Sequence, residues 1–413
     1  MVQRYALAGA GHRGVGMFAG PLVRDYADVA ELVALFDRNS RRIRAANDLL
    51  GTSIPGYTDF DRMIAEAKPD CVIVATMDST HHDFVVRSLD AGCEAITEKP
   101  MAIDEEKVRA ILAAEQRTGR QVRVSFNARY GAATEETKKL LNDGVIGDLI
   151  SVDFAEYLDT SHGADYYRRW HRRKENSGGL LLHKASHHFD QLNWWIDSDP
   201  ETVFAMGATR FYGPTVQERG ERCLNCQYAR SCRFYLDLRA DARLKALYLD
   251  AEGEDGYYRD RCVFADEIDT EDTLVVTVRY ANGVLLSYSL VAFSPYEGQR
   301  IGFNGTKGRI DVNRITRYHG LGADGSLGIQ SLGAPGIQVN PMFGRPYTVE
   351  VEERKGTHGG SDERIRNHLF RADTPDPLAQ RAGSRAGAMS TLVGAAANIS
   401  MAKGIPVQIA DLR

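Results

Sequence analysis

Arg4-Tyr5-Ala6-Leu7-Ala8-Gly9-Ala10-Gly11-His12-Arg13-Gly14 decides the fold of this chain. A short apolar run of strand length enters Gly-x-Gly-x-x-Gly, and a helical stretch follows. The glycines permit a tight turn and let the backbone approach a pyrophosphate, which then lies against the free N–H groups of the helix N-terminus. Gly9, Gly11, His12, Arg13 and Gly14 are therefore candidate cofactor contacts. Asp37 ends the next apolar run, Glu31 to Phe36, where a carboxylate accepts hydrogen bonds from an adenosine ribose. Two signals conflict there. Asp37 repels the 2′-phosphate of NADP, whereas Arg38 beside it attracts one; the strand-terminal residue normally faces the ribose, which favours NAD.

The alternation continues through Cys71 to Ala75, Glu94 to Thr97 and Gln121 to Ser125, with amphipathic helical stretches between the runs. Such βαβ units form one parallel, doubly wound Rossmann sheet, expected over residues 1–124. After Tyr130 the rhythm changes, and residues 125–413 read as an α+β domain for substrate binding and oligomerisation. One helix is expected from about Gly179 to Ile196. Thr273 to Tyr280 and Val284 to Leu290 flank Asn282-Gly283, a strong hairpin signal, and their alternation suits a large, mostly antiparallel sheet with one open face. About 213–266 reads as a Cys-bearing insertion rich in charge and Tyr, and about His319 to Pro346 as a long Gly-rich loop. A small-residue helix near Ala386 to Ala402 stops at Gly404 and Pro406.

Across 413 residues, 51 Lys and Arg face 56 Asp and Glu, a formal net charge of −5. That balance argues against a broad footprint for nucleic acid or an anionic membrane. No apolar run reaches the roughly 18 residues of a transmembrane helix. The N-terminus carries no charged-then-apolar leader pattern, so a cytoplasmic protein is expected. The open sheet face predicts association into a homo-oligomer, a dimer or tetramer.

Glu98-Lys99-Pro100 follows the fifth apolar run. Proline restricts Lys99 to extended backbone, just beyond a strand's carboxyl end, where a doubly wound sheet has its ligand crevice. An ammonium there stabilises the alkoxide-like charge that develops on a substrate oxygen during hydride transfer. Together, Gly9 to Gly14, Ala75-Thr76-Met77-Asp78-Ser79-Thr80-His81, Glu98-Lys99-Pro100, and Gly178-Gly179 through His187 and Asp190 resemble the Gfo/Idh/MocA family of sugar and polyol dehydrogenases. The resemblance spans nearly the whole chain. It implies cofactor contacts at Thr76, Asp78, His81, Glu98 and Lys99, and it gives the position of His187 to the base that takes the hydroxyl proton. An aspartate commonly sits at the position of His183, so this chain departs from the pattern there.

His183, His187 and Asp190 fall at i, i+4 and i+7 of the expected helix, and Lys184 lies on a neighbouring face with His188. We read His187 as general base or acid, His183 as a substrate contact or proton relay, and Lys184 as a further contact. Metal ligation by His183, His187 and Asp190 is an alternative with suitable spacing. A structural role, with Asp190 pairing locally, is another. Tyr166-Tyr167-Arg168-Arg169-Trp170-His171-Arg172 reads as a substrate loop in which Trp170 and His171 contact a sugar, or else as an oligomer contact. Arg129 and Tyr130 border the pocket, and His358 lies beside a helix start.

Cys223, Cys226 and Cys232 give C-x2-C-x5-C, and Cys262 completes four sulfurs for a structural zinc; free thiols and disulfides are the alternatives. Cys71 and Cys93 read as packing residues. The expected activity is NAD-dependent oxidation of a secondary hydroxyl of a sugar, cyclitol or related polyol to a ketone. Two other activities fit the same fold: a redox-neutral glycosidase or lyase that retains NAD, and a non-catalytic sensor of NAD or sugar.

Overall fold

The computed structural model describes residues 2–315, 317–321, 327–331, 335–352 and 354–413. Six parallel strands, β1 (Gln3–Ala8), β2 (Ala30–Phe36), β3 (Gly56–Tyr57), β4 (Cys71–Val74), β5 (Glu94–Thr97) and β6 (Val122–Val124), lie in the order β3-β2-β1-β4-β5-β6. β4 is buried along its whole length, as a central parallel strand covered on both faces must be. Asn39, Asp59 and Asp104 cap the connecting helices by accepting N–H bonds from Arg42, Arg62 and Lys107. Strand order reverses between β1 and β4, so a crevice opens where the Gly9 turn leaves β1. The helix after that turn begins as a π-helical turn, Gly14–Ala19, before the short α-helix Gly20–Arg24.

The second sheet runs β16 (Tyr347–Val349), β15 (Gly336–Pro341), β12 (Gly308–Asn313), β11 (Tyr296–Gly305), β7 (Leu149–Asp159), β10 (Leu285–Ser294), β9 (Thr273–Tyr280), β8 (Pro200–Ala208) and β17 (Val407–Gln408), with the hairpin β13 (Arg317–Leu321) and β14 (Leu327–Ser331) attached to β11. Pairing is antiparallel except between β7 and β10. β9 and β10 alternate buried and exposed residues. Helices Ser186–Ile196 and Ser384–Lys403 are largely buried, the latter packed against β8 through the bond from Ala205 N–H to Ser400 Oγ. Met206, Val275 and Leu285 are exposed on the same strands.

Three expectations change. The helix predicted from Gly179 to Ile196 is two, Leu180–His183 and Ser186–Ile196. At the break, Ala185 N–H reaches back five residues to Leu180 O (2.8 Å), a widened turn that inserts one residue and removes the simple i, i+4 relation of His183 and His187. The stretch expected as a Gly-rich loop from His319 to Pro346 instead carries β13, β14 and β15, whose antiparallel inter-strand bonds satisfy the backbone, and in β15 buried Ile337 and Val339 alternate with Gln338 and Asn340; 322–326 and 332–334 lie outside the described residues. Finally, helix Ser361–Phe370 returns to the first sheet, where Phe370 meets Tyr5 edge-on at 5.3 Å and Tyr26 donates to Asn367 Oδ1.

Candidate active site

The cradle after β1 is shaped by what glycine lacks. Gly9 has φ +101°, and a Cβ there would fall 2.4 Å from Ala75 O; at Gly14 it would fall 2.1 Å from Gly9 O. At Gly9 and Gly14 the turn can close only because neither residue carries a Cβ, which leaves the helix N-terminus near the strand end and fits a pyrophosphate. Asp37 is buried at the end of β2. Its Oδ2 accepts Ala10 N–H (3.0 Å), and its Oδ1 accepts Asn39 N–H and Arg42 Nη1 (both 2.9 Å). Burial raises its pKa while Arg42 opposes the shift.

The segment 213–266 is not peripheral to this cradle. Tyr248 Oη accepts His12 N–H (2.9 Å), Arg243 donates to His12 O, and Asn39 Nδ2 donates to Ala251 O. Glu254 accepts Ser40 N–H (2.6 Å), Ser40 Oγ–H (3.1 Å) and Arg41 N–H (3.2 Å). Asp255 lies 2.9 Å from Arg42 and 3.7 Å from Arg38. Sequence reading missed all of these contacts, because partners more than 200 residues apart leave no local signal.

At the ends of β4 and β5, polar side chains converge. Lys99, in a cis Lys99–Pro100 peptide, donates from Nζ to His183 O (2.7 Å). Burial pulls its pKa down to about 8, with the carboxylates of Asp78 and Glu98 acting against that. Glu98 is held by Arg13 Nε (2.6 Å) and accepts Lys99 N–H, so Arg13 and Glu98 position the lysine and their side chains are committed to each other. His183 Nδ1 lies 2.5 Å from Asp78 Oδ2. Burial pushes the pKa of Asp78 up, against the pull of Lys99, and that of His183 down. His171, 1% exposed, packs 3.9 Å from His183 by ring centroids and stacks under Trp170, and neither of its ring nitrogens has a protein partner among the described residues. The Nδ1 of His187 is likewise buried without one, and burial, then Lys99 and Lys184, depress its pKa well below the ordinary histidine value. A neutral imidazole with a free nitrogen beside an ammonium can accept a proton.

Several expected contacts have other partners. Arg129 grips Asp190 with two bonds of 2.7 and 2.6 Å and both are buried, which removes Arg129 from substrate binding and Asp190 from any metal set with His183 and His187. Instead Asp78, His171 and His183 are the one set of three ligand groups among the described residues with atoms within 4.8 Å of one another. Lys184 pairs with buried Glu156 at 3.2 Å. His81 Nδ1 lies 2.8 Å from Pro100 O and Nε2 3.3 Å from Thr76 O, of which the single N–H of a neutral imidazole can serve one, and Thr76 Oγ1 meets Thr80 Oγ1, so His81 sits between the two strand ends. His358 is exposed and bonds Asp362.

Cys223, Cys226, Cys232 and Cys262 are all free thiols lining one cavity of about 20 Å³, the room of a single water or ion. Arg168, buried, donates to Cys223 Sγ (3.5 Å). Among the described residues no three of the sulfurs lie within 4.8 Å of one another, so the set is open. Cys71 and Cys93 are buried in the cores.

Two family models match: "Oxidoreductase family, NAD-binding Rossmann fold" over residues 3–126 and "Oxidoreductase family, C-terminal alpha/beta domain" over 138–409. The chain is 36% identical to YteT of Bacillus subtilis (strain 168), a protein named for oxidoreductase activity without a substrate, over 100% of this chain and 99% of that one. An inositol 2-dehydrogenase of Rhizobium meliloti (strain 1021) is 30% identical over 50% of this chain and 59% of its own length. Among solved structures, an Agrobacterium radiobacter oxidoreductase in complex with NAD+, L-tartaric acid and magnesium superposes with a TM-score of 0.68 at 16% identity, covering all of both chains. An aldose-aldose oxidoreductase from Caulobacter crescentus gives 0.64 at 17%, covering 99% of this chain and 100% of that one, a likeness of fold.

Proposed function

The chain belongs to the Gfo/Idh/MocA oxidoreductase family, and within it we propose an NAD-dependent dehydrogenase that oxidises a secondary hydroxyl of a sugar, cyclitol or related polyol to a ketone. The observation that carries this reading is the convergence of Lys99, Asp78, His171 and His183 beyond the ends of β4 and β5, with the Nδ1 of His187 buried and unpartnered one helical segment on and the Gly9 turn beside them. NAD, when bound, accepts the hydride that leaves the carbinol carbon. Lys99 donates a hydrogen bond to the substrate oxygen and stabilises its developing charge. His187 takes the hydroxyl proton, and the C–O bond becomes a carbonyl. His183, aligned by Asp78, and His171 bind and orient neighbouring hydroxyls. The names of inositol 2-dehydrogenases among the relatives support a cyclitol or sugar as substrate. The test is NADH formation at 340 nm over a panel of cyclitols and aldoses; no NADH with any of them, by protein shown to bind NAD, overturns the dehydrogenase.

A redox-neutral reaction on the same site is favoured by one feature. The 241–257 segment lies against the cradle, with Tyr248 and Glu254 bonded to its backbone, and retention of a nucleotide by this segment would suit a reaction that never releases its cofactor. Release of an aglycone without net NADH would select this second reading.

The same reading keeps the four cysteines as a structural zinc site, supported by the one cavity that all four line. Zinc binding draws the sulfurs together. Less than a tenth of an equivalent of zinc per chain after dialysis ends that assignment. Association of two or more copies through the open sheet face completes the proposal. No helix among the described residues is long and apolar enough to cross a membrane.

A further inference from the structure

The residues around the end of β2 carry a contradiction that Asp37 alone does not resolve. Arg38, Arg41, Arg42 and Arg44 gather four guanidinium groups at the start of the helix Ser40–Leu50. Beside a ribose-binding carboxylate, such a cluster together with the free N–H groups of an 11-residue helix is an attractive seat for a phosphate on the ribose 2′ position. Two acidic side chains from far along the chain occupy that seat.

Glu254 accepts the N–H groups of Ser40 and Arg41 and the Ser40 hydroxyl, and its carboxylate stands 4.0 Å from Arg41 Nε. These are donors that a 2′-phosphate would use. Asp255, buried, bonds Arg42 Nη2 at 2.9 Å and lies 3.7 Å from Arg38 Nε. Arg42 in turn holds Asp37. Three of the four guanidiniums, those of Arg38, Arg41 and Arg42, are thus met by carboxylates from within, and the helix N-terminus already carries one. The Asn39 amide bonded to Ala251 O and the Arg42 Nε bonded to Leu247 O fix the segment that bears both acids.

We infer that Glu254, supported by Asp255, is a cofactor-specificity residue: its carboxylate occupies the 2′-phosphate position at the start of helix Ser40–Leu50 and selects NAD against NADP. The inference rests on the cofactor reading proposed above and adds a determinant outside the nucleotide-binding strands. An incoming 2′-phosphate must displace Glu254 from three donors and meet its charge at contact distance, whereas a 2′-hydroxyl meets no added charge and is left to Asp37.

The test is calorimetric titration of the full-length protein with 5′-AMP and with adenosine 2′,5′-bisphosphate, alongside NAD+ and NADP+. Wild type is expected to bind 5′-AMP at least tenfold more tightly than the bisphosphate. Glu254→Gln keeps the size and removes the charge of a side chain that is 29% exposed, so folding is little affected. It should narrow that ratio at least fivefold, and Glu254→Lys should invert it, with NADP+ following the bisphosphate. An unchanged ratio in both variants, with 5′-AMP still bound, overturns the role of Glu254. Failure of wild type to bind NAD+ at all overturns the cofactor reading itself, and this inference with it.

Discussion

The nucleotide cradle and the catalytic pocket share one edge of the six-stranded sheet, yet one is made of backbone and the other of side chains. The cradle is local: residues 9–14 and 37–42 supply glycine contacts and N–H donors within two short stretches. Asp78, Lys99, His171, His183 and His187 reach the pocket from four separate segments. A backbone site depends on whether a Cβ fits; a side-chain site depends on which protonation states burial permits. The two should therefore fail differently under mutation.

The largest expected effect lies in the pocket. Lys99→Met removes the donor at the substrate oxygen and His187→Ala removes the base, and each should lower kcat by about 10²–10⁴-fold. Neither side chain lines the cradle, so NAD affinity measured by fluorescence quenching should stay within threefold. Turnover within tenfold of wild type in both variants would remove the distinction between the two regions.

In the cradle, Gly9→Ala should act through sterics alone. With φ at +101° and a carbonyl oxygen 2.4 Å from the new Cβ, the turn must shift. A loss of roughly 2–4 kcal/mol of stability is expected, read as a lower denaturation midpoint, together with lost nucleotide binding. Unaltered affinity and midpoint would show that the turn yields, contrary to its packing against Ala75.

This contrast also explains what could be read in the sequence. The parallel sheet and its order follow from apolar runs that alternate with capped helices, and Gly9 and Asp37 follow from spacing. Lys99 and His187 were legible because each sits in a compact motif. The Asp78–His183 pair was not, since 105 residues separate its members and the inserted residue at Ala185 changes where His183 points. Arg129 read as a pocket residue because nothing local reveals that Asp190 takes its Nε and Nη2 and that Ala379 O and Gln380 O take its Nη1. Strands β13 to β15 were hidden because a glycine-rich composition outweighed the short alternation of Ile337 and Val339 with Gln338 and Asn340 in β15. The acidic residues near 254 lie in what read only as a charged insertion, although they answer arginines at 38–42.

Acid–base behaviour separates the regions next. Burial pulls the Lys99 pKa down to about 8, so if Lys99 is the ammonium donor of the proposed mechanism, kcat/KM should fall as pH rises through 8 and the donor is lost. His187 must be neutral to accept a proton. Its pKa is depressed well below the ordinary histidine value, so the acid limb should lie well below pH 6.5. The profile is then a plateau bounded above near 8, whereas NAD affinity, set by backbone N–H groups, should hardly move from pH 6.5 to 8.5. An alkaline limb that appears in NAD affinity instead of kcat/KM would assign the titration to the cradle.

The smallest expected effect lies where the insertion meets the cradle. Tyr248 Oη takes the N–H of His12, the donor that a pyrophosphate oxygen needs, and stands 3.3 Å from where a Gly11 Cβ would be. Nucleotide binding therefore exchanges one acceptor for another at this N–H, and the phenol oxygen must withdraw. Tyr248→Phe keeps the ring and removes the competing acceptor. The cost of breaking a neutral hydrogen bond is about 0.5–1.5 kcal/mol, so ADP should bind roughly two- to tenfold more tightly to the variant. Weaker binding would mean the opposite arrangement, in which the phenol turns to donate to the phosphate and the insertion forms part of the holo cradle. The sign of that one change tells whether the segment competes with the cofactor or closes over it.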